Sequence, residues 1–235
     1  IQSSAYEPGI EFFRSEKRKW VDGTSGRLFN RKFIAVSDFV KKSIIKRLGF
    51  SADKIAIIYN YIDTKELFNL LENRASLRNG LSLDEKDIVL ITVGKLNPPK
   101  GHSFLFDAVF LIKKSLPNIK LLVVGDGPSL DELTGLRDRL GLQDVILFLR
   151  ERKDIYQLLS LSDIFVFPSL SEGFPVSLLE AMGMEKPCIA FNLGPMPELI
   201  ENGKTGLLVE IKASQKLCAA IIDLINNPEK SLRLA

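Results

Sequence analysis

Cysteine, histidine and long apolar runs are scarce in this sequence of 235 residues, which has two cysteines, one histidine and one tryptophan. One histidine and two separated thiols cannot supply the four ligands of a structural zinc site. Cys188 and Cys218 are each flanked by apolar residues, which predicts buried, reduced thiols and no disulfide. No apolar run approaches the roughly 18 residues that a membrane span needs, and the first residues lack the basic-then-apolar layout of a secretory leader. The expected location is therefore the cytoplasm. Charge of one sign is not in excess either, since the net charge is +3, too small a balance to assign nucleic-acid binding.

What is present is ordinary globular material, 46% hydrophobic and 26% charged, enough to bury a full core. The charge is uneven along the chain: residues 1–50 carry 11 Lys/Arg against 5 Asp/Glu. The segment Glu11 to Trp20 mixes aromatics with cations and reads either as a solvated helix face or as a peripheral contact with anionic lipid head groups.

Short apolar runs alternate with amphipathic stretches, the mark of β–α–β units around a parallel sheet. Strands are predicted over 33–36, 55–59, 88–93, 120–124, 145–149, 164–168, 187–191 and 206–209. Helices are predicted over 38–48, 102–115, 130–140, 155–161, 176–184, 197–201 and 213–226. The polar stretch from Asp63 to Lys86 reads as a boundary, giving units 1–75 and 76–235. The expected fold class is α/β: a doubly wound, Rossmann-like parallel sheet with a partial second α/β unit. In such sheets ligands bind beyond the carboxyl ends of the strands, so loops after Val93, Val124, Leu149 and Pro168 are expected to line one cleft.

The most informative stretch is Ser171-Glu172-Gly173-Phe174-Pro175-Val176-Ser177-Leu178-Leu179-Glu180. Pro175 suits the first turn of a helix, because its missing N–H would be an orphan there. Glu172 is thereby placed in the loop and Glu180 on the helix. The N–H groups of Gly173, Phe174, Val176 and Ser177 converge at the positive end of that helix, a good seat for a diphosphate. Glu180 can accept hydrogen bonds from vicinal hydroxyls such as those of a ribose, leaving Glu172 free to face a sugar. Each carboxylate also has an ordinary reading, Glu172 as an acidic residue near a helix start and Glu180 as a solvated helix position.

Other motifs fall on the loops of the same cleft. Gly94 lets the chain turn after the third predicted strand, so that Lys95 and Lys100 can approach a diphosphate with charge-assisted bonds. Gly125-Asp126-Gly127-Pro128 is a tight turn that fails the dinucleotide fingerprint, because the third glycine position holds Leu130. His102 follows Gly101 at a helix start and reads as a solvent-exposed first-turn residue.

The run from Phe165 to Glu210, with Val93-Gly94-Lys95-Leu96, Lys100-Gly101, Val124 to Pro128 and Ser162 to Ser169, resembles the signature region of family 4 retaining glycosyltransferases, which have the GT-B fold. Ile34 to Ser37 and Ile57 to Asp63 resemble the end of the amino-terminal, acceptor half of such enzymes. The resemblance implies transfer of a glycosyl group from a nucleoside-diphosphate sugar, UDP-linked by first expectation, to an acceptor hydroxyl in glycan, polysaccharide or glycolipid synthesis. It implies no cofactor and no metal. Lys95, Lys100, Gly173, Phe174 and Val176 would then hold the diphosphate, Glu180 the ribose, and Glu172 would contact the transferred sugar or its oxocarbenium ion as the catalytic position. A same-fold epimerase and a non-catalytic nucleotide-sugar module stay open as alternatives. The chain departs from the family pattern at Lys95, commonly arginine, which replaces a planar fork by a point charge, and at Arg150 and Tyr61, both commonly glycine. Arg150 borders the expected base site, either stacking on a base or pointing to solvent, and leaves the base open.

Overall fold

The computed structural model describes residues 32–64 and 74–235. The basic segment Glu11 to Trp20 lies outside the described residues. The first unit holds two parallel strands, β1 (Phe33–Ala35) and β2 (Ile55–Ile57), joined through helix α1 (Asp38–Leu48). Its small core is Ala35, Val40, Ile44, Phe50 and Ile55, and the Phe33 and Phe50 rings stack with centroids 4.3 Å apart.

The second unit begins with α2 (Arg74–Gly80) and continues β3 (Ile88–Val93), α3 (His102–Lys113), β4 (Ile119–Val124), α4 (Leu130–Arg139), β5 (Ile146–Arg150), α5 (Ile155–Leu161), β6 (Ile164–Phe167), α6 (Val176–Gly183), β7 (Cys188–Phe191), α7 (Met196–Leu199), β8 (Leu207–Val209), α8 (Ser214–Asn226) and α9 (Pro228–Leu234). The six strands are all parallel, in the order β5-β4-β3-β6-β7-β8. The central strands are near-continuous apolar runs because helices cover both faces. One face packs on α3, α4 and α8 through residues such as Phe106, Leu133 and Leu217. The other packs on α5, α6 and α7 through Leu158, Leu178 and Met196. The strand order reverses between β3 and β6, and the crevice outside that reversal is where doubly wound sheets take their ligands.

The doubly wound expectation is met, with ends differing by one or two residues. Two helices went unread. The first, α2, lies in the polar stretch taken as a boundary: the line between residues 75 and 76 passes inside it. Arg74 pairs with Asp163 at 2.5 Å, and Arg78 is buried with its guanidinium donating to the carbonyls of Leu161 at 3.1 Å and Asp84 at 3.0 Å. Both arginines thus fasten α2 to the six-stranded unit. The second, α9, starts with Pro228 in its first turn, where proline's fixed φ suits a helix.

Candidate active site

The site grows from loops that are stitched to one another by their backbones. After β3, Gly94 N–H donates to Val124 O at 2.9 Å and Leu96 N–H to Asp126 O at 2.8 Å, so the loops after β3 and β4 run zipped together. A Cβ on Gly125 would lie 1.9 Å from Gly94 O, and one on Gly127 2.2 Å from Leu96 O. Glycine in this turn therefore serves backbone-to-backbone approach. Beyond them lies a cavity of 640 Å³ floored by Val93, Gly94, Val124, Gly125 and Ile155. Lys95, Asp126, Glu151 and Arg152 also line it.

A second stitch crosses the strand reversal. The short turn Pro98–Lys100 ends on Gly101, whose φ is +65° and whose Cβ, if it had one, would sit 2.1 Å from Pro168 O. Leu170 N–H donates to Pro99 O at 2.7 Å. The loop after β6 is thereby laid against the turn that carries Lys100, and Lys100 Nζ meets Glu172 Oε1 at 2.5 Å. Both side chains are largely buried, with 17% and 10% of their surface exposed, so the pair is poorly screened by solvent.

This geometry changes three expectations. Glu172 is not free: without a ligand it is held by Lys100, so the candidate sugar contact and one candidate phosphate cation neutralise each other. Lys95 and Lys100 are not presented alike either, since Lys95 is exposed in the cavity while Lys100 is engaged. Glu180 is no solvated helix position: it is partly buried, accepts from the Tyr156 hydroxyl at 3.4 Å, and burial raises its carboxyl above the ordinary range, an effect that bond partly opposes. Ile155, the neighbour of Tyr156 in the chain, lines the cavity, whereas Glu180 itself does not. No local pattern in the sequence marks Tyr156.

Pro175 is the N-cap of α6 rather than a first-turn residue, with φ −75° and ψ 120°, and no side chain caps the helix. Phe174, Val176 and Ser177 follow the expected order at this end, and their N–H groups donate to none of the described residues. The loop before α6 is gripped from the first unit. Ser37 Oγ donates to Gly173 O at 2.9 Å, Asn60 Nδ2 donates to Phe174 O at 2.8 Å, and the Tyr59 and Phe174 rings lie 5.1 Å apart. Glu198 of α7 accepts from the amides of Asp38 and Phe39 at 2.9 and 2.8 Å.

Two further residues differ from expectation. His102 is buried, not exposed, and desolvation with the nearby Lys100 charge lowers its imidazole to about 4. Arg150 keeps the backbone that glycine would favour, at φ +58°, next to a register shift between β4 and β5. Its guanidinium reaches Asp126 on the cavity rim at 3.2 Å.

The family comparison bears on this arrangement: a cavity over the loops after β3, β4 and β5, and, across the strand reversal, the Lys100–Glu172 pair and the uncapped start of α6. Residues 73–235 match the family described as glycosyl transferases group 1. The chain belongs to this family. The N-acetyl-alpha-D-glucosaminyl L-malate synthase of Bacillus anthracis is 31% identical over 175 residues, covering 74% of this chain and 45% of that protein. The UDP-Gal:alpha-D-GlcNAc-diphosphoundecaprenol alpha-1,3-galactosyltransferase of Escherichia coli is 31% identical over 221 residues, covering 89% of this chain and 57% of that one. This glycosyltransferase chain spans about half the length of these curated relatives. Among solved structures, Anabaena HepE in complex with UDP superposes with a TM-score of 0.86 at 27% identity, covering 98% of this chain and 64% of that one. The fold is that of GT-B glycosyltransferases, as the resemblance implied.

Proposed function

We propose that residues 76–235 form the donor domain of a retaining glycosyltransferase and that residues 1–75 are the end of its acceptor domain. The reaction moves a hexose from a UDP-linked sugar to an acceptor hydroxyl in glycan, polysaccharide or glycolipid synthesis, in the cytoplasm. The observation that carries this reading is the Lys100–Glu172 pair at the strand reversal beside the uncapped start of α6. HepE, similar across nearly the whole chain, has been crystallised with UDP and with UDP-glucose, which supports a nucleotide-sugar donor. Among the described residues no helix is long and apolar enough to cross a membrane.

The chemical burden is the leaving group. As the bond from the anomeric carbon to the β-phosphate oxygen breaks, negative charge grows on that phosphate. Amides of Gly173, Phe174, Val176 and Ser177 with the ammonium groups of Lys95 and Lys100 stabilise it more in the transition state than before it. Lys100 exchanges Glu172 for phosphate when donor arrives, which releases the Glu172 carboxylate toward the sugar. Glu180 accepts from the ribose hydroxyls. Protein cations supply the charge that a metal would otherwise bring.

Calorimetric titration with UDP, GDP and ADP tests the reading. UDP binds tightest; Lys100→Ala and Glu180→Ala each weaken it by about 10-fold, near 1.4 kcal/mol. Glu172→Gln, which frees Lys100, tightens UDP severalfold without tightening UDP-glucose. Equal binding by wild type and the two alanine variants, or no nucleotide binding at all, overturns the assignment. These 235 residues bind without efficient transfer, because the family's acceptor half is mostly absent from them; conversion of the donor sugar without acceptor would instead identify an epimerase.

A further inference from the structure

Ser37 sits at the junction of β1 and α1, fully buried, in the unit opposite the candidate site. Its hydroxyl has one proton to give. The oxygen already accepts from Val40 N–H at 3.1 Å, the N-cap bond of α1, so its lone-pair side is turned into the helix. The proton goes outward, to Gly173 O at 2.9 Å. Gly173 suits this approach because a Cβ there would meet Val36 Cγ2 at 3.3 Å.

A trans peptide is planar, with its C=O and N–H pointing in opposite directions, and there is no cis bond among the described residues. Fixing the Gly173 carbonyl on Ser37 therefore fixes the Phe174 N–H on the far side. The next peptide offers no alternative donor, since residue 175 is proline and Phe174 O is held by Asn60. The Phe174 ring, packed against Tyr59, restrains the same residue through its side chain. Helix α1 is itself clamped by Glu198 through the amides of Asp38 and Phe39, so the serine cannot easily drift. The Phe174 amide, oriented on every side, donates to none of the described residues.

Resting on the donor-domain reading above, we infer that Ser37 is a positioning residue: by holding Gly173 O it aims the Phe174 N–H at the leaving diphosphate. The first unit thus does more than present acceptor. It sets one of the donors that receive the phosphate charge, so the diphosphate seat is complete only when both units are docked.

The test compares UDP with uridine, which lacks the phosphates, by titration of the 235-residue chain. Ser37→Ala is expected to weaken UDP by about 5- to 10-fold while leaving uridine within twofold, and Ser37→Thr, which keeps the hydroxyl, restores UDP binding. In wild type, the Phe174 amide proton resonance is expected to move downfield on addition of UDP and to stay in place with uridine. Equal losses for UDP and uridine, no loss for either, or an unmoved Phe174 resonance under saturating UDP overturns the inference. Should Ser37→Ala fail to fold, Ser37→Cys, whose thiol is a weak donor, takes its place in the same UDP-to-uridine comparison. Wild-type chain that binds no nucleotide sinks the donor-domain reading together with this one, whereas normal UDP binding with an unchanged UDP-to-uridine ratio in the variant sinks only the role of Ser37.

Discussion

Two helix starts face each other across the junction of the units, and they are finished differently. At α1 the orphan amides are taken: Asp38 and Phe39 donate to Glu198, and Val40 to Ser37. At α6 no side chain caps the helix, and proline stands at the N-cap. Helices α3, α4, α5, α7 and α8 also lack a side-chain cap, so it is the place of α6 beside the Lys100–Glu172 pair that, under the function proposed above, makes its open start available to an anion from outside. The closed end is a structural joint, and under the proposed function the open one receives substrate charge.

A third helix start sharpens the contrast and carries the largest expected effect. At α3 no side chain caps the helix, and closure comes from burial, with Gly101 against Pro168 O and His102 out of solvent. The imidazole is neutral in the folded chain down to about 4, against an ordinary 6.5. Its contribution is complete above pH 6.5 and is lost as pH falls toward 4, because the unfolded chain takes up a proton that the folded chain refuses. Urea unfolding at pH 7 and pH 4 is expected to differ by about 3 kcal/mol more in wild type than in His102→Gln; matching pH dependence in the two proteins would refute it.

Breaking the closed end comes next. Glu198→Ala orphans two amides of α1 and is expected to cost about 2 kcal/mol in thermal or denaturant unfolding. A cost below about 0.5 kcal/mol would mean that solvent replaces the carboxylate freely and that α1 and α6 are not finished differently after all.

Closing the open end is the converse. Pro175→Asp supplies α6 with a cap worth about 1 kcal/mol, offset by the chain freedom regained on losing proline. Stability is expected to stay nearly constant while UDP binding falls at least about 10-fold, since a carboxylate now occupies the anion's place. Unimpaired UDP binding in a well-folded variant would show that the phosphate lies elsewhere. The smallest effect is expected at Arg150, remote from all three starts. Arg150→Gly relieves a left-handed backbone but loses an exposed ion pair and loosens the unfolded chain, for a net change within about 0.5 kcal/mol by thermal unfolding.

Periodicity made the sheet and its main helices legible, because strands such as Ile88–Val93 and helices such as Ile155–Leu161 are apolar where burial demands it. It failed at α2, where Arg78 is buried with its charge spread over backbone carbonyls, an arrangement no hydropathy pattern announces. The motif around Glu172 and Glu180 was visible as a loop followed by a helix, and Lys95 and Lys100 as cations on glycine-softened turns. What could not be read was how they pair. The Lys100–Glu172 contact joins residues 72 apart and the Glu198 contact with Asp38 residues 160 apart. The burial of His102 is hidden from the sequence for a related reason, since Pro168 and its loop, which lie against Gly101, come from a distant strand.

The zipped turn at Gly94, Gly125 and Gly127 has an evolutionary consequence. Apart from the Asp126 carboxylate, which accepts from Gly127 N–H at 2.7 Å, its contacts are main chain against main chain, so the shape of the floor depends little on the other side chains around it. Lys95, Glu151 and Arg152 can therefore be exchanged during divergence with little disturbance to the platform beneath them, and a lineage can change what it recognises while inheriting the same foundation.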